Sequence, residues 1–333
     1  MAVSNDYIKS REEALRRSAL KLTRQQEQAI IDAYVKAGQQ LADEIRKGSG
    51  KVTDRMKQQY LKNLNGEVAR LIREYGIKSA SNPLEEELKI INRLLGKDAI
   101  SEIGFDKLSK QLIKGISNDS VKQIINGGIY KDNRGLSSRI WKSTNQAGQT
   151  IQDVIAAARA RGMGSADLAK LLEEFVNPSA RKLWTTDKIR EVLGDGYASW
   201  NKNLEYNALR LARTTLSHSA TQSMKESGRL NPYNKKFQWH SAHSAGRTCA
   251  ECAEMDGEIF TANDLPYDHP NGLCWVTHYY DKSLDDIADE LAEWVKGGDN
   301  PELDSWYKEL NKPFTGSTNN NPKFVKGSSE LEE

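Results

Sequence analysis

Proline placement most constrains how this chain folds. Of its eight prolines, only Pro83 precedes Pro178. A proline removes a helix donor and its ring collides with the preceding turn, so their scarcity leaves the first half free for long helices. Apolar residues recur there at helical spacing. Ile31, Tyr34, Leu41 and Ile45 share a face, as do Leu84, Leu88, Ile91 and Leu95, and then Ile151, Val154, Ile155 and Ala158. Asn82 followed by Pro83 has the form of an N-cap and a first-turn proline, which predicts a helix start. The Gly48-Ser49-Gly50 and Gly127-Gly128 runs predict breaks between helices.

A further helix is expected over 202–227, where Leu204, Ala208, Leu211, Leu216, Ala220 and Met224 form one apolar stripe. After Asn231-Pro232 the period shortens. Aromatic and β-branched residues gather in KKFQWH, GEIF and CWVTHYY, with Asp256-Gly257 as a hairpin signal. Ser283 then opens a helix with Ile287, Leu291 and Trp294 on its apolar face. The expected fold is mainly α with a small β-rich Cys/His module, an α+β arrangement behind a long helical N-terminal body. The expected divisions are a helical body over 1–178, a helical connector over 179–235, the module over 236–282, C-terminal helices over 283–312 and a disordered tail over 313–333.

With 333 residues, the chain is long enough for two or three units that each bury a core. No apolar run approaches the roughly 20 residues of a membrane span, and the first residues lack the apolar stretch of a secretory signal. The expectation is a soluble protein made in the cytoplasm. The net charge of +2 conceals an asymmetry. Residues 1–250 carry 42 Lys+Arg against 27 Asp+Glu (+15), and residues 251–333 carry 6 against 19 (−13). A basic body suits nucleic acid or an acidic protein, whereas the same charges spread over helix faces are also ordinary solvated surface.

All three cysteines fall in one short stretch: Cys249, Cys252 and Cys274, with His269 between the last two. Two residues separate the first pair, sixteen separate Cys252 from His269, and four separate His269 from Cys274. A Cys-x-x-Cys turn aims two thiolates at one point, and a second loop supplying His and Cys completes a tetrahedral Cys3His zinc site. With four protein ligands such an ion serves folding, since no coordination position stays open. The alternatives are reduced, partly buried thiols, a redox pair or an oxidised pair. The absence of a βαβ pattern argues against a thioredoxin-like site, and an odd cysteine count argues against a disulfide framework.

Signatures of catalysis are missing. The zinc deaminase pattern requires His-x-Glu, but His240, His243 and His269 are followed two positions on by Ala242, Ala245 and Asn271. No Walker loop, G-x-S-x-G elbow or H-E-x-x-H helix occurs. His218 lies on a helix with no nucleophile near it in sequence and reads as a packed or surface histidine. No enzymatic activity is expected. Trp239 and Trp275 flank the cysteines and are expected to form the module's core.

The run from Trp239 through Cys249, Cys252 and Asp256-Gly257 to Phe260, followed by His269-Pro270 and Cys274, closely resembles the signature of Mu F-like phage head morphogenesis proteins. The preceding Leu211-Ala-Arg213-Thr214 resembles that family's Ala-Arg-Thr-Glu segment. Arg134-Gly-Leu-Ser137-Ser-Arg139-Ile-Trp141 and Tyr7-Ile-Lys-Ser-Arg11 are similar to members from phages of Gram-positive hosts. The resemblance spans about Tyr7 to Tyr280 and departs at two places. The family often ends its motif Cys-x-Cys, where this chain has Gly272 and then Cys274, and the glutamate after Arg-Thr is here Thr215.

What the resemblance implies is a minor capsid protein of low copy number inside the phage head. It would associate with the portal protein and other head or scaffolding proteins, and reach packaged or ejected double-stranded DNA, with no membrane involved. Arg210 and Arg213 would anchor their helix against the module or a partner, or else be solvated. Other readings stay open. One is a zinc-knuckle nucleic-acid-binding protein, motivated by the basic body. Another is an ADP-ribosyltransferase-type toxin, since some Mu F-like proteins carry fused toxin domains and Glu330-Leu-Glu332 superficially resembles that class's paired glutamates; these sit in a tail too short for the surrounding sheet.

Overall fold

The computed structural model describes residues 5–48, 53–127, 129–130, 134–193, 204–243, 248–316, 322–323 and 325. Ser49, Gly50, Gly128, residues 244–247 of the motif run and most of the expected tail, with Glu330 and Glu332, lie outside the described residues.

The chain is mainly α-helical with one small sheet. Two long helices open it, α1 (Asn5–Lys47) and α2 (Asp54–Leu95), followed by α3 (Lys97–Glu102), α4 (Phe105–Asn126) and α5 (Leu136–Ala160). Then come α6 (Ser165–Val176), α7 (Pro178–Arg181), α8 (Thr186–Leu193) and α9 (Tyr206–Lys225), which runs into a 3-10 turn at Ser227–Arg229. The module holds β1 (Lys236–His240), α10 (Ala250–Glu254), β2 (Ile259–Thr261) and β3 (Trp275–Tyr279), and α11 (Leu284–Val295) and α12 (Pro301–Leu310) close the described helices. None of the helices among the described residues is long and apolar enough to cross a membrane.

These elements form two compact units, each assembled from separated stretches. One comprises Arg24–Ile72 and Leu136–Ala212; the other comprises Met1–Thr23, Arg73–Gly135 and Arg213–Glu333. Residues 1–178 therefore contribute to both units, and the boundaries fall inside α1, α2 and α9.

Among the described residues the first unit is helical throughout. Ile30, Tyr34, Ile45, Leu64, Val68, Val154 and Leu172 are buried in it, as the apolar stripes require. Helices α1 and α6 approach so closely that a Cβ at Gly38 would lie 2.5 Å from the Val176 methyls. Among its described residues Arg181 forms a buried fork: its Nη2 donates to both oxygens of Glu205 at 2.9 and 2.8 Å while Nη1 donates to the Phe175 carbonyl at 2.8 Å.

The second unit packs α2, α4, α11 and α12 through Leu84, Ile91, Phe105, Ile116, Ile287, Leu291 and Trp306. Pro83 does not start a helix; it lies inside α2. Asn82 does not cap either, because its side chain bonds Ser18 of α1 at 3.0 and 2.8 Å. Buried neighbours on both sides, Ala80 and Leu84, hold the helix through the proline, so packing overrides the local signal. Ser283 does cap α11, its hydroxyl accepting the Asp286 N–H at 3.1 Å.

The sheet has the order β2-β1-β3, antiparallel throughout. Asp256-Gly257 does not join two strands directly; it ends α10 and turns the chain into β2, with Gly257 at φ +84° and its N–H on the Trp239 carbonyl at 2.8 Å. Opposed residues on antiparallel strands share a face, so Trp239 and Val276 point into the module's core while His240 and Trp275 point the other way. Trp239 is buried as expected. Trp275 is not core: it stacks on His240 at 5.2 Å and carries the Arg16 guanidinium 3.9 Å above its ring.

Candidate metal centre

The Cys-x-x-Cys segment forms a helix start. Cys249 is the N-cap of α10, its sulfur accepting the Cys252 N–H at 3.3 Å, which turns both side chains to one side. The second ligand segment is a tight turn made by His269, Pro270, Asn271 and Gly272. The Gly272 N–H returns to the His269 carbonyl at 2.9 Å, Pro270 presets the second position, and Asn271 takes the left-handed third position at φ +66°. Three residues of α9 hold this turn. Arg213 Nη1 donates to Asn271 Oδ1 at 2.7 Å, the Thr214 hydroxyl accepts the Asn271 N–H at 3.1 Å, and His218 Nε2 meets the Asp268 carbonyl at 2.8 Å. Arg213 thus anchors its helix to the module, and His218 is a buried packing residue, flanked by Tyr130 and Tyr267.

These segments bring the sequence-predicted residues together as two overlapping groups. Cys249, Cys252 and His269 form one; Cys252, Asp268 and Cys274 form the other, with ligand atoms within 4.8 Å of one another in each. His269 Nε2 lies 3.3 Å from the Cys249 sulfur and 3.4 Å from the Cys252 sulfur. Tetrahedral ligands at about 2.0–2.3 Å from an ion stand about 3.3–3.8 Å apart, so this cluster could hold a metal with small adjustments. Asp268 was not foreseen. Only its position beside His269 could have suggested it.

Burial and crowding shift the acids of the cluster. Burial pushes the Asp268 carboxyl up. The Cys252 thiol is pushed up, chiefly by its hydrogen bond to Cys274 and then by burial and the Asp268 charge, while the same bond lowers Cys274. Crowded acids of this kind release their protons together when an ion enters. The set of sulfur and imidazole donors matches a borderline-soft ion such as zinc.

Two other features lie in the same unit. A cavity of about 320 Å³ abuts the ligand turn, lined by Leu15, Leu20, Leu216, Met224, Leu273 and Trp275 among others. Farther along β3, His278 bonds Ser227 Oγ at 2.8 Å and Glu87 at 2.9 Å, and Glu87 also accepts from Asn231 at 2.6 Å and Tyr280 at 3.0 Å. Burial pushes the Glu87 carboxyl up, but the His278 charge and the hydrogen bonds outweigh it and hold the group below its ordinary value. This hydroxyl, imidazole and carboxylate chain has the order of a nucleophile relay, and its Ser227 is fully buried. It braces α2 against β3. Neither Glu87 nor Ser227 carried a sequence signal, since both sit on elements far from His278 in the chain.

Compared with known proteins, the chain matches no family model, no curated protein and no solved structure.

Proposed function

We propose that this chain is a minor head protein of a tailed bacteriophage, a virion component without enzymatic activity that works with the portal protein during head assembly. Its Cys/His module would carry a structural zinc ion. One observation supports the reading most: residues of the motif that lie far apart in sequence act as one built object. Arg213 and Thr214 reach the turn between His269 and Cys274, Trp239 lies in the core beneath, and Asp256 accepts the Ser241 N–H at 2.7 Å to shape the approach to the Cys pair. The motif is then a folding unit, which is what a closed zinc site contributes. The head-assembly role rests on the resemblance of the motif itself.

The experiment is co-purification with the portal protein encoded beside it, with zinc read by elemental analysis on the same sample. A stable complex with about one zinc per chain supports both halves of the reading. Absence of a complex removes the portal from it, and absence of zinc leaves a hydrogen-bonded knuckle or a redox pair.

A second reading is binding to nucleic acid, favoured by the charge of the all-helical unit: residues 24–72 and 136–212 carry 20 Lys+Arg against 14 Asp+Glu, or +6. Binding that weakens steeply with salt supports it, and a flat salt response discards it.

A further inference from the structure

We infer that Asp268 is the positioning residue of the metal centre, and that position 272 is a glycine because the Asp268 carboxylate occupies the space of its side chain. The inference rests on the metal-binding reading above and concerns how this chain achieves it.

Asp268 has a relative exposure of 1%. Its Oδ1 accepts the His269 N–H at 2.8 Å and its Oδ2 accepts the Cys274 N–H at 3.1 Å. One carboxylate therefore ties together the main chain of both ligand residues of the second loop. With its carbonyl on His218, Asp268 also fixes that loop to α9. The Cys252 sulfur, which belongs to both ligand groups, lies 3.8 Å from Oδ1. Each carboxylate oxygen thus already serves an amide, the arrangement of a group that orients ligands rather than replacing one.

Gly272 supplies the independent half of the argument. A Cβ built there would lie 1.9 Å from Asp268 Oδ2 and 2.2 Å from its Cγ, which no side chain tolerates. Gly272 is not among the glycines with positive φ, so its backbone conformation accepts an L side chain. The three atoms nearest that Cβ all belong to the Asp268 carboxylate. The two positions are therefore coupled, and the loop is cut to fit Asp268.

Cobalt(II) is the probe, because its absorption reports ligand identity and its titration reports affinity. The wild-type chain is expected to take up one Co(II), displaced by zinc. Asp268→Ala is expected to lower Co(II) affinity roughly 10–100-fold with the band positions unmoved, since the thiolates and imidazole stay in place. Asp268→Asn, which keeps one acceptor oxygen, should fall between the two. Gly272→Ala should lose affinity by a similar factor, but in the Asp268→Ala background it should cost nothing more. Unchanged affinity in Asp268→Ala overturns the inference. So does a shift of the bands in Asp268→Asn, which would make Asp268 itself a ligand, or a Gly272→Ala loss that persists without the carboxylate. Failure of the wild-type chain to bind Co(II) or zinc overturns the metal-binding reading itself, and is seen before any variant is made. Should Asp268→Ala not fold, Asp268→Asn and Gly272→Ala carry the same test.

Discussion

The two compact units close their buried ion pairs at different range. In the all-helical unit, the buried Arg181 meets a carboxylate only 24 positions away, and apolar stripes supply most of the remaining core. In the other unit, Glu87 meets His278 from the far side of the sequence, and sulfur, carboxylate and imidazole groups sit where carbon would be expected. The difference follows from element length. The described elements of the first unit are helices with long apolar stripes, whereas in the second the strands of 5, 3 and 5 residues can cover only a small core of Phe237, Trp239, Leu265 and Val276. A module of that size depends on cross-links between its loops.

The contrast can be broken by experiment, and the largest effect should come from chelation. Structural zinc contributes about 10–16 kcal/mol in small zinc-finger peptides, so a strong chelator at neutral pH should expose 236–282 to protease while the helical unit keeps its far-UV signal. Equal protection before and after chelation would erase the distinction. Next in size are the buried pairs. Glu87→Ala and Arg181→Ala should each cost about 3–5 kcal/mol in denaturant unfolding, because each strands a buried partner. Arg181→Ala should leave metal content untouched.

A pH titration sharpens the same comparison. The Glu87 carboxyl is held below its unfolded value of about 4.3, so its stabilisation is present above that value and fades as the pH falls through the folded one. Acid unfolding should therefore begin in the unit that contains Glu87, and this early phase should be missing in Glu87→Ala. The smallest effect belongs to the cap of α11: Ser283→Ala should cost about 1 kcal/mol, read as a lowered unfolding midpoint.

Much of this architecture was legible in the residues. The proline gap and the stripes identified the long helices, and the composition change after Pro232 marked the sheet, because both signals are local and periodic. Cys249, Cys252, His269 and Cys274 were legible as a cluster from spacing alone. Three things were not. Pro83 looks like a start because the helix that overrides it is stabilised by partners distant in sequence. Trp275 looks like core until the register with β1 assigns it to the opposite face from Trp239. Asp268 and Gly272 are two ordinary residues whose meaning exists only once the turn closes and sets a carboxylate where a Cβ would stand.

The interleaving of the units also orders events during synthesis. The all-helical unit has all of its residues once Ala212 has been made, whereas the other waits for segments that follow Arg213 although it also uses the first residues of the chain. A chain emerging from its N-terminus can therefore complete the all-helical unit first, while residues 1–23 and 73–135 have only one another until the segments after Arg213 arrive. Until then Leu84, Ile91 and Phe105 lack Ile287, Leu291 and Trp306, the part of their core that is made last.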